Sequence, residues 1–262
     1  MLMFPNIDPI AIAIGPVAVH WYGLTYLIGF IGCYLLSVRR GRGTDWNAQK
    51  LADVLFYVAV GIIFGGRIGY ILFYSPADIL LNPFSLVEFW LPGRSFHGGM
   101  LGVFVALLMY VKFNMQKFIR LTDFIAPAVP IGLGCGRIGN FINGELYGRV
   151  TDVPWAMVFP HAGLHPRHPS QIYEFILEGV VLCLLLLWYA GKPRKLGAVS
   201  GMFLLAYGIM RCLVEIVREP DPAQGFVMLN WLTMGQLLSI PMIMLGLYMI
   251  LKKSGEINCK YI

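Results

Sequence analysis

Charge is what this 262-residue sequence has least of: Asp, Glu, Lys and Arg make up 13% of it, while 58% is hydrophobic. A soluble domain carries roughly 25% charged residues. That deficit excludes a water-soluble globular enzyme, and with it a disordered chain or a coiled coil. Cysteine is sparse and unpatterned: Cys33, Cys135, Cys183, Cys212 and Cys259 stand singly, with no CxxC pair. An odd, scattered set offers neither metal-ligand spacing nor a disulfide framework, so the thiols read as small apolar packing residues. No P-loop and no GxGxxG before a helix occurs, and neither a nucleotide nor a metal is expected. Lys and Arg are missing from the first twelve residues. No basic region therefore precedes the first apolar stretch, and that stretch is expected to be retained rather than cleaved.

What the sequence does have is apolar runs. Seven can be marked, near 18–38, 51–73, 97–111, 121–136, 171–190, 197–217 and 235–251. A membrane helix needs about 20 residues, so the third and fourth are short and bring polar ends to membrane depth. The net charge is +6, and its distribution gives a direction. Arg39, Arg40, Arg42, Lys50, Lys112, Lys117, Arg120, Lys192, Arg194, Lys195, Lys252, Lys253 and Lys260 fall on one side of the spans. The other side holds only Arg94, Arg137, Arg149, Arg167 and Arg218. The richer side is cytoplasmic by the positive-inside rule, which places the N-terminus outside and the C-terminus inside. The surplus charge is thus a topology signal, with attraction to anionic lipid, and not a nucleic-acid footprint. Trp21, Tyr22, Trp90, Trp155 and Trp231 sit at outward ends, as interfacial anchors do.

The expected fold is an all-α polytopic membrane protein, a single integral membrane domain over 1–262. Its longest outward segment, 137–170, is rich in Gly, Pro, Asn and His and reads as a small extracytoplasmic cap between spans four and five. Its histidines, His161, His165 and His168, fit no compact ligand spacing.

Charged residues at membrane depth carry the functional signal, because an Arg at a span centre costs about 2.5–3.5 kcal/mol unless it meets a partner or a watery cavity. Arg67 lies in GGRIGY, Arg137 in CGRIGN, and Arg211 with Glu215 in RCLVE. Arg211 and Glu215 share a helical face. For Arg67, close packing through neighbouring glycines competes with a functional role. Arg137 opens the Gly-broken stretch GRIGNFINGELYGR, residues 136–149. Irregular polar backbone at that depth lines a cavity or is buried in protein. Several guanidinium groups near the lipid–water boundary suit a phosphate, whose oxygens match their paired donors. His97, in SFHGGM, opens span three, and imidazole is the natural proton acceptor at neutral pH. Glu174 and Glu178 fall in the first turns of span five, where the helix dipole favours carboxylates, and are read as structural.

HWYG (20–23), GGRIGY (65–70), SFHGG (95–99), DFIAP (123–127), GLGCGRIGNFINGELYGR (132–149), RHPSQ (167–171), GAVSG (197–201), RCLVEIVREPD (211–221) and MGQLLSIPM (234–242) occur in this order. Together they resemble the bacterial prolipoprotein diacylglyceryl transferases over roughly 15–245. The resemblance implies a seven-span inner-membrane enzyme with a site open to the periplasm. Such enzymes move the diacylglyceryl group of phosphatidylglycerol to the lipobox cysteine of a prolipoprotein signal peptide, without a cofactor. The family's phospholipid-handling arginines fall on Arg137 and Arg211, its essential histidine on His97 and its important tyrosine on Tyr22. Asn140, Glu145, Gly148 and Glu215 occupy further family positions. Tyr147 stands where some members carry Trp, and the cap is compact. Two other classes remain open on the residues alone: a non-enzymatic lipid transporter or channel, since intramembrane arginines and broken helices occur there too, and an intramembrane serine protease using Ser200 of AVSG.

Overall fold

A computed structural model describes residues 2–5, 7–15, 17–74, 82–86, 88, 93, 95–220, 233–252 and 257–258. Trp90, Arg94, Trp231, Lys253, Cys259 and Lys260, named above, lie outside them. The chain divides into two compact units, 41–121 and 1–40 with 122–262.

The smaller unit is built on α2 (Ala48–Tyr74) and α3 (Phe96–Tyr110). Gly61, Gly65 and Gly69 recur every four residues on α2, one helical face, and meet Gly98 and Gly102 of α3. A Cβ on Gly61 would lie 2.7 Å from the Gly102 carbonyl oxygen, and one on Gly69 2.6 Å from the Gly98 Cα. Only glycine permits that approach. Ser95 ties the start of α3 in place: its Oγ accepts from the Gly98 N–H at 3.2 Å and its own N–H donates to the Gly66 carbonyl at 2.9 Å. Arg67 is buried here and donates from Nε to the Ser85 carbonyl at 3.0 Å. After α3 the chain bends by 120° into α4 (Met115–Ile125), through Lys112 and Phe113 in left-handed backbone at φ 54° and 56°.

The larger unit contains α1 (Trp21–Gly41), α5 (Val129–Ile142), α6 (Ser170–Ala190), α7 (Ala198–Glu215) and α8 (Met234–Leu251). Glycine again sets the spacing. A Cβ on Gly29 of α1 would stand 3.1 Å from Gly132 of α5, one on Gly134 3.2 Å from Gly179 of α6, and one on Gly201 of α7 2.9 Å from the Gly246 carbonyl of α8. Leu182, Leu186 and Val199, all nearly inaccessible, centre the apolar core between α6 and α7. Within α6, Phe175–Val181 is π-helical, a wider turn that recurs at functional sites.

Among the described residues, five helices are long and apolar enough to cross a membrane, or six if the bent pair α3–α4 counts as one span. The expected fourth span, 121–136, is not a single helix. The chain turns between Ile125 and Val129, where Pro127 has no N–H with which to continue the helix. Pro130 is tolerated in the first turn of α5, which then continues to Ile142. Its 14 residues span about 21 Å, less than the roughly 30 Å of a hydrocarbon core. Short strands are added to the helices. The hairpin of β2 (Ile10–Ile14) and β3 (Val17–His20) precedes α1, β1 (Leu2–Met3) runs parallel to β4 (Met157–Val158), and β5 (Arg194–Lys195) pairs with β6 (Ile257–Asn258).

The motifs DFIAP and GAVSG, 74 residues apart at Asp123 and Gly197, meet. Asp123 is completely buried and accepts from the N–H groups of Gly197 at 2.7 Å and Ser200 at 2.8 Å, and from Ser200 Oγ at 2.7 Å. A carboxylate there satisfies the otherwise orphaned donors at the start of α7 and complements its dipole. Ser200 is therefore part of a helix cap, donating its hydroxyl proton to an acid, which gives the protease reading no support. Asp123→Asn keeps the shape but removes the charge and one acceptor. It should destabilise the detergent-solubilised protein by about 1.5–3 kcal/mol, read as a lowered thermal unfolding midpoint.

Candidate functional site

Five ionic side chains from α5, α6 and α7, together with Arg218 just beyond α7, converge in the larger unit. Arg137 of α5 approaches Glu174 Oε2 through Nε at 3.2 Å and donates to Glu178 Oε2 through Nη2 at 3.2 Å. Arg211 of α7 donates to Glu174 through Nη1 and to Glu215 through Nη2, and its Nη1 lies 3.8 Å from Glu178 Oε1. Arg218 donates to Glu174 Oε1 at 2.6 Å and stands 3.9 Å from Glu215. Thr233, the N-cap of α8, donates to Glu215 Oε2 at 2.7 Å. Gly235 leaves room for that carboxylate, since a Cβ there would come within 2.7 Å of Glu215 Cδ.

Three positive and three negative charges balance. Glu174 and Glu178 have no exposed side-chain surface, whereas Arg137 keeps 18%, Arg211 14% and Arg218 15%. The carboxylates are thus fully desolvated and the guanidinium groups only partly so. Nη1 of Arg137 and Nε of Arg211 have no acceptor among the described residues, so donors remain available on the accessible side. Guanidinium groups held in a water-poor site and presenting spare donors can receive an anion or stabilise developing negative charge.

A second set lies along the same helix, α5. Asn140 Nδ2 donates to Glu145 Oε1 at 2.9 Å and Asn143 Nδ2 to the same oxygen at 3.3 Å. The backbone beyond α5 turns through Gly144 at φ 65° and Leu146 at φ 60°. Gln171 Nε2 donates to the Glu145 carbonyl at 2.6 Å, and Ser170 Oγ to that of Leu146 at 2.8 Å. A left-handed leucine is strained and persists only where such contacts determine it. Tyr22, in the first turn of α1, lies against Gly139, where a Cβ would come 2.9 Å from its ring, and its hydroxyl is 3.2 Å from that of Tyr26. Gly148 is a crossing point: a Cβ there would stand 2.6 Å from both His168 Cβ and the Val217 carbonyl. Arg167 donates to the Gly148 carbonyl at 3.2 Å and pairs with Glu219 at 3.2 Å, while Arg149 donates to the Arg218 carbonyl at 3.0 Å. These contacts tie the segment after α5 to the chain leaving α7.

Residues 9–252 match the family model described as prolipoprotein diacylglyceryl transferase. The chain is 53% identical over 251 residues to a phosphatidylglycerol–prolipoprotein diacylglyceryl transferase of Legionella pneumophila, covering 95% of this chain and 98% of that one. It is 54% identical over 249 residues to the enzyme of the same name from Pseudomonas aeruginosa, covering 94% of each. This chain belongs to the prolipoprotein diacylglyceryl transferase family. It is therefore a member of a family of membrane transferases.

The sequence-expected residues of this transferase fall into three places. Arg137, Arg211 and Glu215 meet in the ionic cluster. Tyr22, Asn140, Glu145 and Gly148 line α5 and the turn beyond it. His97 is exposed on the first turn of α3 in the smaller unit. Glu174 and Glu178, read from the sequence as structural, hold Arg137 and Arg211 through their carboxylates. The spacing of four residues in span five was the available signal, since it puts both acids on one face. Arg218, which continues the Arg211–Glu215 face one turn further out, and Thr233, which the sequence does not mark, complete the cluster. Among the described residues no group of three or more His, Cys, Asp or Glu is arranged to hold a metal ion.

Between α5 and α6, His168 Nδ1 is 3.1 Å from the Tyr173 hydroxyl, which also accepts from Trp155 Nε1 at 2.6 Å. Desolvation holds the His168 imidazole below its ordinary range. Its neutral form is thus favoured by folding. The associated stability is present above the unfolded value of about 6.5 and is lost as pH falls through the lower folded value. An NMR titration should place His168 below the ordinary midpoint. In the cluster, Glu174→Gln removes a full charge from among three guanidinium groups. It should cost about 3–5 kcal/mol, the range for breaking a buried pair, measured as loss of thermal stability that Asp at the same position does not fully restore.

Proposed function

We propose that this transferase moves the sn-1,2-diacylglyceryl group of phosphatidylglycerol to the lipobox cysteine thiol of a prolipoprotein, the first step of lipoprotein maturation. A carbon–sulfur bond forms at the glyceryl carbon and the carbon–oxygen bond to phosphate breaks. The electron pair leaves with glycerol 1-phosphate. The thiol must lose its proton, because thiolate is the effective nucleophile, and His97 takes it directly or orients the group that does. Arg137 and Arg211 bind the phosphate and stabilise the charge that gathers on it as the bond breaks. Glu215 fixes the fork of Arg211. Asn140 and Glu145, with the tight crossing at Gly148, shape the headgroup side, and Tyr22 closes it from α1. No metal or organic cofactor takes part.

In this reading the chain crosses the inner membrane seven times, N-terminus out and C-terminus in, as the distribution of Lys and Arg favours. The segment 137–170 is a periplasmic cap, and the site opens to the outer leaflet. The observation that carries the reading is the convergence of Arg137 and Arg211, from two helices, on one desolvated carboxylate in a chain of this family.

The test is purified enzyme in detergent with phosphatidylglycerol and a lipobox peptide, followed by mass spectrometry of the thioether product. Arg137→Ala should lower turnover by at least about 100-fold while the protein remains folded, and unchanged turnover would remove its role. His97→Gln should slow the reaction by about 100-fold or more, with the loss relieved when the peptide thiol is ionised at raised pH. Equal activity of variant and wild type across pH would reassign the base.

A further inference from the structure

The hairpin of β2 and β3 presents two kinds of surface that no single solvent satisfies. Ile12 is 52% exposed and Ile14 71%. With no bulge between them, they point to the same side of the strand. From Pro9 to Val38 the chain carries no Asp, Glu, Lys or Arg. Water is a poor environment for such a strand. Hydrocarbon is no better, because among the described residues the sheet has two strands, and outward backbone N–H and C=O groups cost several kcal/mol each when left unsatisfied in lipid. A third strand that is itself apolar meets both demands at once. It supplies backbone partners along the edge and covers the isoleucines.

The hairpin is also fixed where it matters. Asp8 Oδ1 accepts from the Ile10 N–H at 2.8 Å, and the Trp21 N–H donates to the Pro9 carbonyl at 3.0 Å, closing its base. β3 ends at His20 and α1 begins at Trp21, so the strand runs directly into the turn carrying Tyr22. Tyr22 lies against Gly139, next to Asn140 and its bond to Glu145. A peptide on this edge is led toward that end of α5.

We infer that the free edge of the Ile10–His20 hairpin binds an extended, apolar segment of the peptide substrate by strand addition. This rests on the function proposed above for its identification of the peptide, but not for the geometry of the edge. The consequence is a division of labour: the ionic cluster handles the phospholipid and the hairpin handles the peptide.

Strand addition has a signature of period two, because alternate amides of the added strand face the edge. A fluorescent lipobox peptide is titrated against the full-length wild-type protein in detergent, and the titration is repeated with peptides N-methylated at one backbone amide at a time. Binding should weaken by about five- to tenfold at alternate positions and remain unchanged between them. The double variant Ile12→Ser, Ile14→Ser should raise the peptide KM by about tenfold or more, with kcat and the phosphatidylglycerol KM unchanged. A flat N-methylation profile would overturn the inference. So would a double variant that raises the phosphatidylglycerol KM alone, which would assign the hairpin to the lipid surface. Alternating, hairpin-dependent binding without any thioether product from the wild type would sink the transferase chemistry and leave the edge as a peptide site.

Discussion

A carboxylate with no exposed surface, held between three guanidinium groups, is the constraint on which the larger unit depends. Removing Glu174 from water costs several kcal/mol, which Arg137, Arg211 and Arg218 offset only if all three stay in register. Those arginines come from α5, from α7 and from the chain beyond α7, while Glu174 comes from α6. Each element is therefore positioned by the same atom group. Glu178 and Glu215 bring the count to three against three, so no member can leave without stranding a charge. Two carboxylate oxygens, Glu174 Oε2 and Glu178 Oε1, are held by charge without a hydrogen bond. The arrangement is electrostatic first and directional second.

Such a cluster requires backbones close enough for short reach, and glycine supplies that. Gly134 and Gly179 bring α5 against α6 beside the π-helical turns that carry Glu178. The same device works in the smaller unit, where it has a different result. Gly-Arg-Ile-Gly occurs at 66–69 and at 136–139, and the two arginines part company. Arg67 donates to the Ser85 carbonyl beneath a glycine-packed helix pair, whereas Arg137 reaches two carboxylates. Identical tetrapeptides mark a common way of packing and not a common chemistry.

The helices and the arginines were legible because both leave local marks: long apolar runs, and charges where insertion energetics disfavour them. The partners of Glu174 and Glu178 are not legible, for the opposite reason. At the start of a helix a carboxylate already has a sufficient local explanation in the dipole, and its real partners lie 37 and 41 residues away. The π-helical turns have no compositional sign. The fourth apolar run looks continuous because Pro127 is outweighed by the residues around it, although a proline has no N–H with which to continue the helix there. Asp123 stood in a quoted motif without a role, since nothing in its own segment shows that it caps α7. The β2–β3 hairpin went unread because its alternation sets isoleucine against alanine, and both count as apolar.

The balance of the cluster bears on what it can do. A neutral sextet offers an incoming phosphate little net attraction at long range, so recognition falls to the donors that the carboxylates leave unused. Arg137 spends Nε and Nη2 on them and Arg211 spends Nη1 and Nη2, each keeping one nitrogen for the accessible side. The acids thus do more than neutralise: they fix which edge of each guanidinium faces outward. In the proposed reaction that charge state suits a leaving group better than a resting one. A phosphodiester carries one negative charge before its carbon–oxygen bond breaks, whereas the released phosphate monoester approaches two. Donors already oriented gain most where charge grows, and they need no reorganisation at the moment it does so.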